Sequence, residues 1–163
     1  MSECAVRFSR VRIVSGAAIV SLVLTFSAAQ GVPAEFTKAE KAAIHSMTEI
    51  SQAQLVYSAT YPDHGFACSL GALGGDPKTG QATAEAAQFL PADLASGHKD
   101  GYVFKISQCQ QLVVKGKPMI LSYKLFAAPD HPGEAARKSF CEDENLKLMF
   151  DPNGGTDCAQ EVR

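Results

Sequence analysis

Thr37 to Leu73, TKAEKAAIHSMTEISQAQLVYSATYPDHGFACSLGAL, decides how the rest of the chain is read. Thr37 with Glu40 has the spacing of a capping box: a Thr hydroxyl takes one free amide at a helix start and a Glu carboxylate three residues on reaches back to another. A helix is therefore predicted to begin there. Ala39, Ala43, Met47, Ile50, Gln54 and Tyr57 recur at three- and four-residue steps. With Leu55 and Val56 widening the stripe, one face is apolar, and Lys41, His45, Thr48 and Glu49 make the opposite face polar. Thr60, Pro62 and Gly65 end the helix, and Phe66-Ala67-Cys68-Ser69-Leu70 is expected to tuck the chain back under it. Such a face needs a surface to cover it, which the remainder of the chain must supply.

Downstream, Gly71 to Gly80 is a loop by composition. It holds glycines, Lys78 and Thr79 but lacks the glycine and lysine spacing of a phosphate-binding loop. Gln81 to Ser96 reads as a second, shorter helix, kinked or split at Pro91, with Ala84, Ala87, Leu90 and Leu94 on its buried side. His98-Lys99-Asp100-Gly101 turns the chain. From Tyr102 the period becomes two: Tyr102, Phe104 and Ile106 alternate with Val103, Lys105 and Ser107. Leu112-Val113-Val114 before Gly116 and Pro118 is either a hairpin extension or a long loop. Met119 to Ala127 alternates again, Arg137 to Cys141 makes a third strand, Glu142 to Asn145 an acidic turn, and Leu146 to Phe150 a fourth strand. The expected fold is α+β, a long N-terminal amphipathic helix packed on a four-stranded antiparallel meander.

The first residues have a three-part organisation. Arg7, Arg10 and Arg12 precede an uncharged apolar run from Ile13 to Phe26, and Ser27-Ala28-Ala29 supplies small residues before Gln30. This is the pattern of a secretory signal peptide over residues 1–29, with Val32-Pro33-Ala34 as a second possible cut. A retained membrane anchor is the alternative, since the 17 residues from Ile13 to Ala29 reach the short limit of a spanning helix. Cys4 precedes the apolar run and so does not mark a lipoprotein. Residues 30–163 are then a single periplasmic or secreted domain. Without Arg7, Arg10, Arg12 and Glu3, the 15 basic and 17 acidic residues fall to 12 and 16, a net charge of −4. That balance, and the absence of tryptophan, offer neither the basic face nor the stacking platform of a nucleic-acid binder.

Four cysteines remain, Cys68, Cys109, Cys141 and Cys158. In an oxidising compartment an even count implies two disulfides with three possible connectivities. Their spacings of 41, 32 and 17 residues contain no CxxC pair of the zinc or thioredoxin kind. Cys68 with Cys109 would tie the loop after the helix to the first strand. Cys141 is expected to pair with Cys158, since the two flank a hairpin-like segment, and Cys68 with Cys109.

In order along the chain, TYPDHGFACSLGALGG after an amphipathic helix, LASGHKDGYVFKISQC, a Tyr-containing strand, APDHPGEAARKSFC and LKLMFDPNGGTDC resemble the globular domains of bacterial type IV pilin-like and pseudopilin-like proteins. The resemblance covers about residues 38–158. It implies the α+β domain above and a non-enzymatic role in protein–protein contact, with partners in the cell envelope such as a type IV pilus or type II secretion apparatus. Phe36 and Glu40 echo the Phe and Glu at the start of a mature pilin, but Glu35 stands where the family has Gly and Lys41 to Glu49 is polar. The pilin assembly helix is therefore missing, and membrane contact is expected only if the leader is retained. Some pseudopilins hold calcium near the end of the sheet, which makes Asp151, Asn153 and Asp157 candidate oxygen ligands; no other cofactor is implied.

Among ordinary catalytic patterns the chain offers little. His45 and Glu49 stand one helical turn apart and could share a metal, but no third ligand is indicated. His64, His98 and His131 sit in turns. No serine occupies a Gly-x-Ser-x-Gly elbow or a Ser-x-x-Lys motif. A small secreted hydrolase or metal-dependent enzyme on the same fold is the alternative, and its sign would be a pocket where His and carboxylate groups converge.

Overall fold

A computed structural model of the chain describes residues 35–78, 80–131 and 137–162. The signal-peptide region and Pro132 and Gly133 lie outside them. Helix α1 (Lys38–Thr60) is capped as its sequence requires. The Thr37 hydroxyl accepts from the Glu40 N–H at 3.2 Å, and Glu40 Oε2 accepts from the Thr37 N–H at 2.7 Å. At the other end Tyr61 leaves helical geometry immediately before Pro62, whose ring disfavours the α conformation in the residue it follows. Ala43, Met47, Ile50, Ala53, Gln54 and Tyr57 are buried. Leu55 and Val56 do not widen this stripe: they are 46% and 49% exposed. Each step along a helix turns about 100°, so residues just past Gln54 are carried off the buried face.

The sheet corrects the four-stranded expectation. It has six antiparallel strands in sequential order, β1 (His98–Lys99), β2 (Tyr102–Val114), β3 (Lys117–Pro129), β4 (Ser139–Asp143), β5 (Met149–Asp151) and β6 (Gln160–Glu161). The α+β class holds. The two additional strands are two-residue edge pieces, too short for alternation to reveal. β1 pairs back on Tyr102 and Val103 across Asp100-Gly101, whose positive φ angles of 53° and 78° are those of a tight hairpin turn. Lys99 helps to hold it in place, lying 3.6 Å from Glu49 on α1 and 3.5 Å from Asp93. β6 is exposed and pairs with Met149 and Phe150 of β5.

β2 and β3 form one long hairpin, closed by Lys115 and Gly116 at φ 52° and 80°. The Leu112–Val114 segment is thus strand, not loop. A bulge between Ser107 and Gln110, with Gln108 at φ 51°, bends β2 at Cys109. β4 continues through Glu142 and Asp143, which pair with Leu125 and Lys124. The expected acidic turn is therefore displaced to Asp143–Leu146, with the Leu146 N–H donating to the Asp143 carbonyl. Opposite charges at Lys124 and Asp143 suit facing positions in an antiparallel pair.

The second helix is also shorter than predicted. Only Ala92–Ala95 (α3) is helical in Gln81–Ser96, because Pro91 has no N–H to continue a helix and Gln88 stands at φ 63°. The N–H groups of Ala87, Gln88, Phe89 and Leu90 instead bond to carbonyls of Ala72, Gly74 and Leu73. They thereby supply partners at the end of a short helix absent from the sequence reading, α2 (Leu70–Leu73). Ala87, Leu90 and Leu94 are buried all the same, and Ala84 packs partly buried at their margin.

The core lies between α1 and one face of the sheet, where Tyr102, Phe104, Ile106, Tyr123, Leu125, Ala127, Phe140 and Phe150 are buried. Two disulfides staple its margins. Cys68 is bonded to Cys109, with Cα atoms 6.0 Å apart, and Cys141 to Cys158, with Cα atoms 6.1 Å apart. The first joins the loop after α1 to the β2 bulge, and the second joins β4 to the tail.

Candidate functional site

On the flank of α1 that faces the β4–β5 connection lies a cleft of about 420 Å³, lined by Thr48, Ser51, Gln52, Leu55, Glu142, Leu146 and Leu148. Its position follows from two local facts. α1 presents Ser51 one position past Ile50, at the rim of the buried stripe, and β4 alternates so that Phe140 and Glu142 both turn toward the helix. The core therefore ends at this edge in a carboxylate. Glu142 is only 7% exposed, and its Oε1 accepts from the Ser51 hydroxyl. Burial pushes the Glu142 carboxyl above its ordinary range; the Ser51 hydrogen bond opposes the shift and Asp143 adds to it. The neighbouring Tyr123 hydroxyl is pushed up to about 12, first by burial, with Ser51 again opposing and Glu142 among the carboxylates that reinforce it.

Across α1 a second groove, about 510 Å³, is lined by Val56, Phe89, Leu90 and Pro91 and shares Gln52 with the first. The exposed ridge of α1 thus has an apolar depression on either side. At the far end of the sheet the β2–β3 hairpin carries Leu112 and Val113, 58% and 73% exposed. The β3 edge of this hairpin is held by the loop after α1: Ile120 donates to the His64 carbonyl and accepts from the Phe66 N–H, and Lys117 pairs with Asp63. Along the outer edge of β2, the Phe104 N–H still reaches the Gly97 carbonyl, but no described strand pairs with it from Lys105 onward.

The residues singled out from the sequence are placed as follows. Asp151 is buried at the end of β5, and its carboxylate accepts from the N–H groups of Asn153 at 2.9 Å and Asp157 at 3.2 Å. Both of its oxygens therefore shape the loop, while the Asn153 and Asp157 side chains are exposed. His45 lies 3.4 Å from Glu49 on the exposed side of α1, and His98 lies 3.4 Å from Asp130. His64 packs edge-on to Tyr61, and His131 is exposed. The four histidines thus occupy separate places. Among the described residues no group of three or more His, Cys, Asp and Glu side chains is set to hold a metal ion.

Phe36 and Glu40 serve the domain itself. The Phe36 ring packs against Phe140 and Phe150 at 5.8 and 5.5 Å, and the Lys138 ammonium stands 5.1 Å above it. Glu40, fully buried, accepts from the Lys138 N–H at 2.9 Å and lies 3.3 Å from the Lys138 ammonium. Sequence reading missed Ser51 and Glu142 as a pair, since they are 91 positions apart and Glu142 looked like one acid of a solvated turn.

Comparison of the chain with family models, with curated proteins and with solved structures finds no match. The two disulfides fit an oxidising, extracytoplasmic environment. No helix among the described residues is long and apolar enough to cross a membrane.

Proposed function

We propose that this chain is a non-enzymatic extracytoplasmic domain that acts by contact with other proteins of the cell envelope; on the pilin-like reading these belong to a type IV pilus or type II secretion apparatus. The observation that carries the reading is the end of the β2–β3 hairpin. Leu112 and Val113 expose more than half of their surface there, beside a β2 edge that no described strand pairs with from Lys105 onward. Exposed edges are ordinarily blunted because they pair with other chains, and an extended peptide can add to one as a further strand. Lys105 and the Lys115–Lys117 turn keep some charge near this edge, which disfavours indiscriminate pairing while leaving the apolar end available.

The test is a hairpin variant. Leu112→Ser with Val113→Ser should change stability by no more than about 0.5 kcal/mol, as exposed substitutions generally do. Protein recovered from a crosslinked envelope with the unaltered chain should be lost with the variant. Equal recovery by both would overturn the reading.

A further inference from the structure

We propose that the outer edge of β2 beyond its bulge takes an extended, acidic peptide of a partner protein as a further strand. This rests on the protein-contact reading and names the chemistry of the partner that the edge selects.

Between Asp100 and Asp130 the chain has no acidic residue, so every charge on the β2–β3 hairpin is a lysine: Lys105, Lys115, Lys117 and Lys124. The domain around it is acidic, with 16 acidic against 12 basic residues once Arg7, Arg10, Arg12 and Glu3 are set aside. Two of the lysines are matched within the fold. Lys124 faces Asp143 on β4, and Lys117 pairs with Asp63. Lys105 is exposed and faces Phe126 across the sheet, and Lys115, exposed in the turn, shares the Asp63 carboxylate with Lys117. The edge therefore presents excess positive charge at both ends of an uncharged run, Ile106 to Val114.

Backbone and apolar groups narrow the partner to an extended chain. Past the bulge, Gln110, Gln111, Leu112 and Val113 are exposed, and no described strand pairs with β2 from Lys105 onward. An unpaired edge offers N–H and C=O groups in strand register, which a peptide backbone matches and a lipid headgroup does not. Leu112 and Val113 are successive residues of a strand and turn to opposite faces, so an added strand finds an apolar neighbour on each. A second copy of this edge does not suit it. A two-fold pairing about Gln110 sets Lys105 against Lys115, and like charges facing each other are destabilising. A strand that carries carboxylates gains at both lysines.

The test titrates the ¹⁵N-labelled full chain, at low salt, with the blocked peptide acetyl-DTVTVTVTD-amide. Its controls are an uncharged counterpart, acetyl-NTVTVTVTN-amide, a basic one, acetyl-KTVTVTVTK-amide, and acetyl-DTVTPTVTD-amide, whose proline interrupts strand pairing. Saturable amide shifts confined to residues 105–117 are expected with the acidic peptide, and binding about tenfold weaker with the uncharged one. The basic and proline peptides should give none. Lys105→Glu with Lys115→Glu should invert the order, so that the basic peptide binds best. Lys105→Gln alone should weaken the acidic peptide severalfold, which keeps the test decisive if the double variant fails to fold. Equal binding of the acidic and uncharged peptides, an unchanged order in the folded double variant, equal binding of the proline peptide, or no saturable shift at these residues would overturn the assignment. Shifts at Leu112 and Val113 with phosphatidylglycerol vesicles and none with the peptide would overturn it too, and give the surface to a lipid. Recovery from the crosslinked envelope reads protein contact separately: if it still depends on Leu112 and Val113 while the charge order fails, the acidic strand falls and protein contact stands.

Discussion

Gln54 is a polar residue in the middle of a hydrophobic stripe, and its partners show why it is there. Its Nε2 donates to the Ala67 carbonyl at 2.7 Å, and its Oε1 accepts from the Ala67 N–H at 2.8 Å. One side-chain amide thus substitutes for a neighbouring strand and fixes the loop that carries Cys68. Gln54→Leu leaves both backbone groups of Ala67 buried without partners and should lower stability by about 3 kcal/mol in urea unfolding, well beyond an exposed substitution. Glu40 and Glu142 predict opposite responses to pH. Burial works to raise Glu40, but hydrogen bonds from the Lys138 and Thr37 N–H groups and the Lys138 ammonium outweigh it and hold the carboxyl below its ordinary value near 4.5. Its stabilising contribution is therefore complete above that value and lost as pH falls through the lowered one. Glu142, raised by burial, is favoured in its neutral form by the fold; its contribution is present below 4.5 and is lost as pH rises through the raised value. Glu142→Gln should accordingly remove a decline in stability just above pH 4.5 while leaving the loss at lower pH, seen in urea midpoints measured from about pH 4 to about pH 8. Sequence made the Thr37–Glu40 box and the burial of Met47, Ile50 and Tyr57 legible because those signals are local. It could not show Lys138 over Glu40 or Ser51 on Glu142, contacts between residues 98 and 91 positions apart.

Elements were legible in proportion to their length and periodicity. The 23 residues of α1 declared themselves by spacing and a cap, and β3 by alternation. β1 and β6, two residues each, have no period to read; the sequence reading placed His98 and Lys99 in one turn with Asp100-Gly101, whereas only the latter pair is the hairpin turn between Lys99 and Tyr102. The segment before α3 looked helical because it is rich in alanine, but its backbone donors are used by α2, a tertiary demand that overrides propensity. The loop from Tyr61 to Ser69 is the joint of the fold, since it passes from α1 to the hairpin and is fastened there by both backbone and disulfide. Gly65 stands at φ 73° with space for a Cβ only 2.1 Å from the Ile120 carbonyl oxygen. Gly65→Ala must therefore break the bridge to β3, and a loss of about 2 kcal/mol or more is expected in thermal or urea unfolding. Replacing Cys68 and Cys109 together by serine should lower stability by about 2–5 kcal/mol under non-reducing conditions, and reduction of the unaltered protein, which opens Cys141–Cys158 as well, should cost at least as much.

At the scale of the molecule, the core sits between α1 and the sheet, and among the described residues apolar side chains are exposed on the two flanks of α1, on β3 at Leu121 and at the hairpin end. The two disulfides fit an oxidising, extracytoplasmic environment. At the hairpin, exposed apolar side chains lie beside a β2 edge that no described strand pairs with from Lys105 onward, which is why protein contact is proposed there. A photo-crosslinking residue placed at Val113 in the cell that makes the protein tests this most directly, with the same residue at Lys41, exposed on the polar side of α1, for comparison. The account predicts a discrete protein adduct at Val113 that disappears when Leu112 is replaced by Asp, and none at Lys41. No adduct at Val113, or the same adducts at both positions, would contradict it.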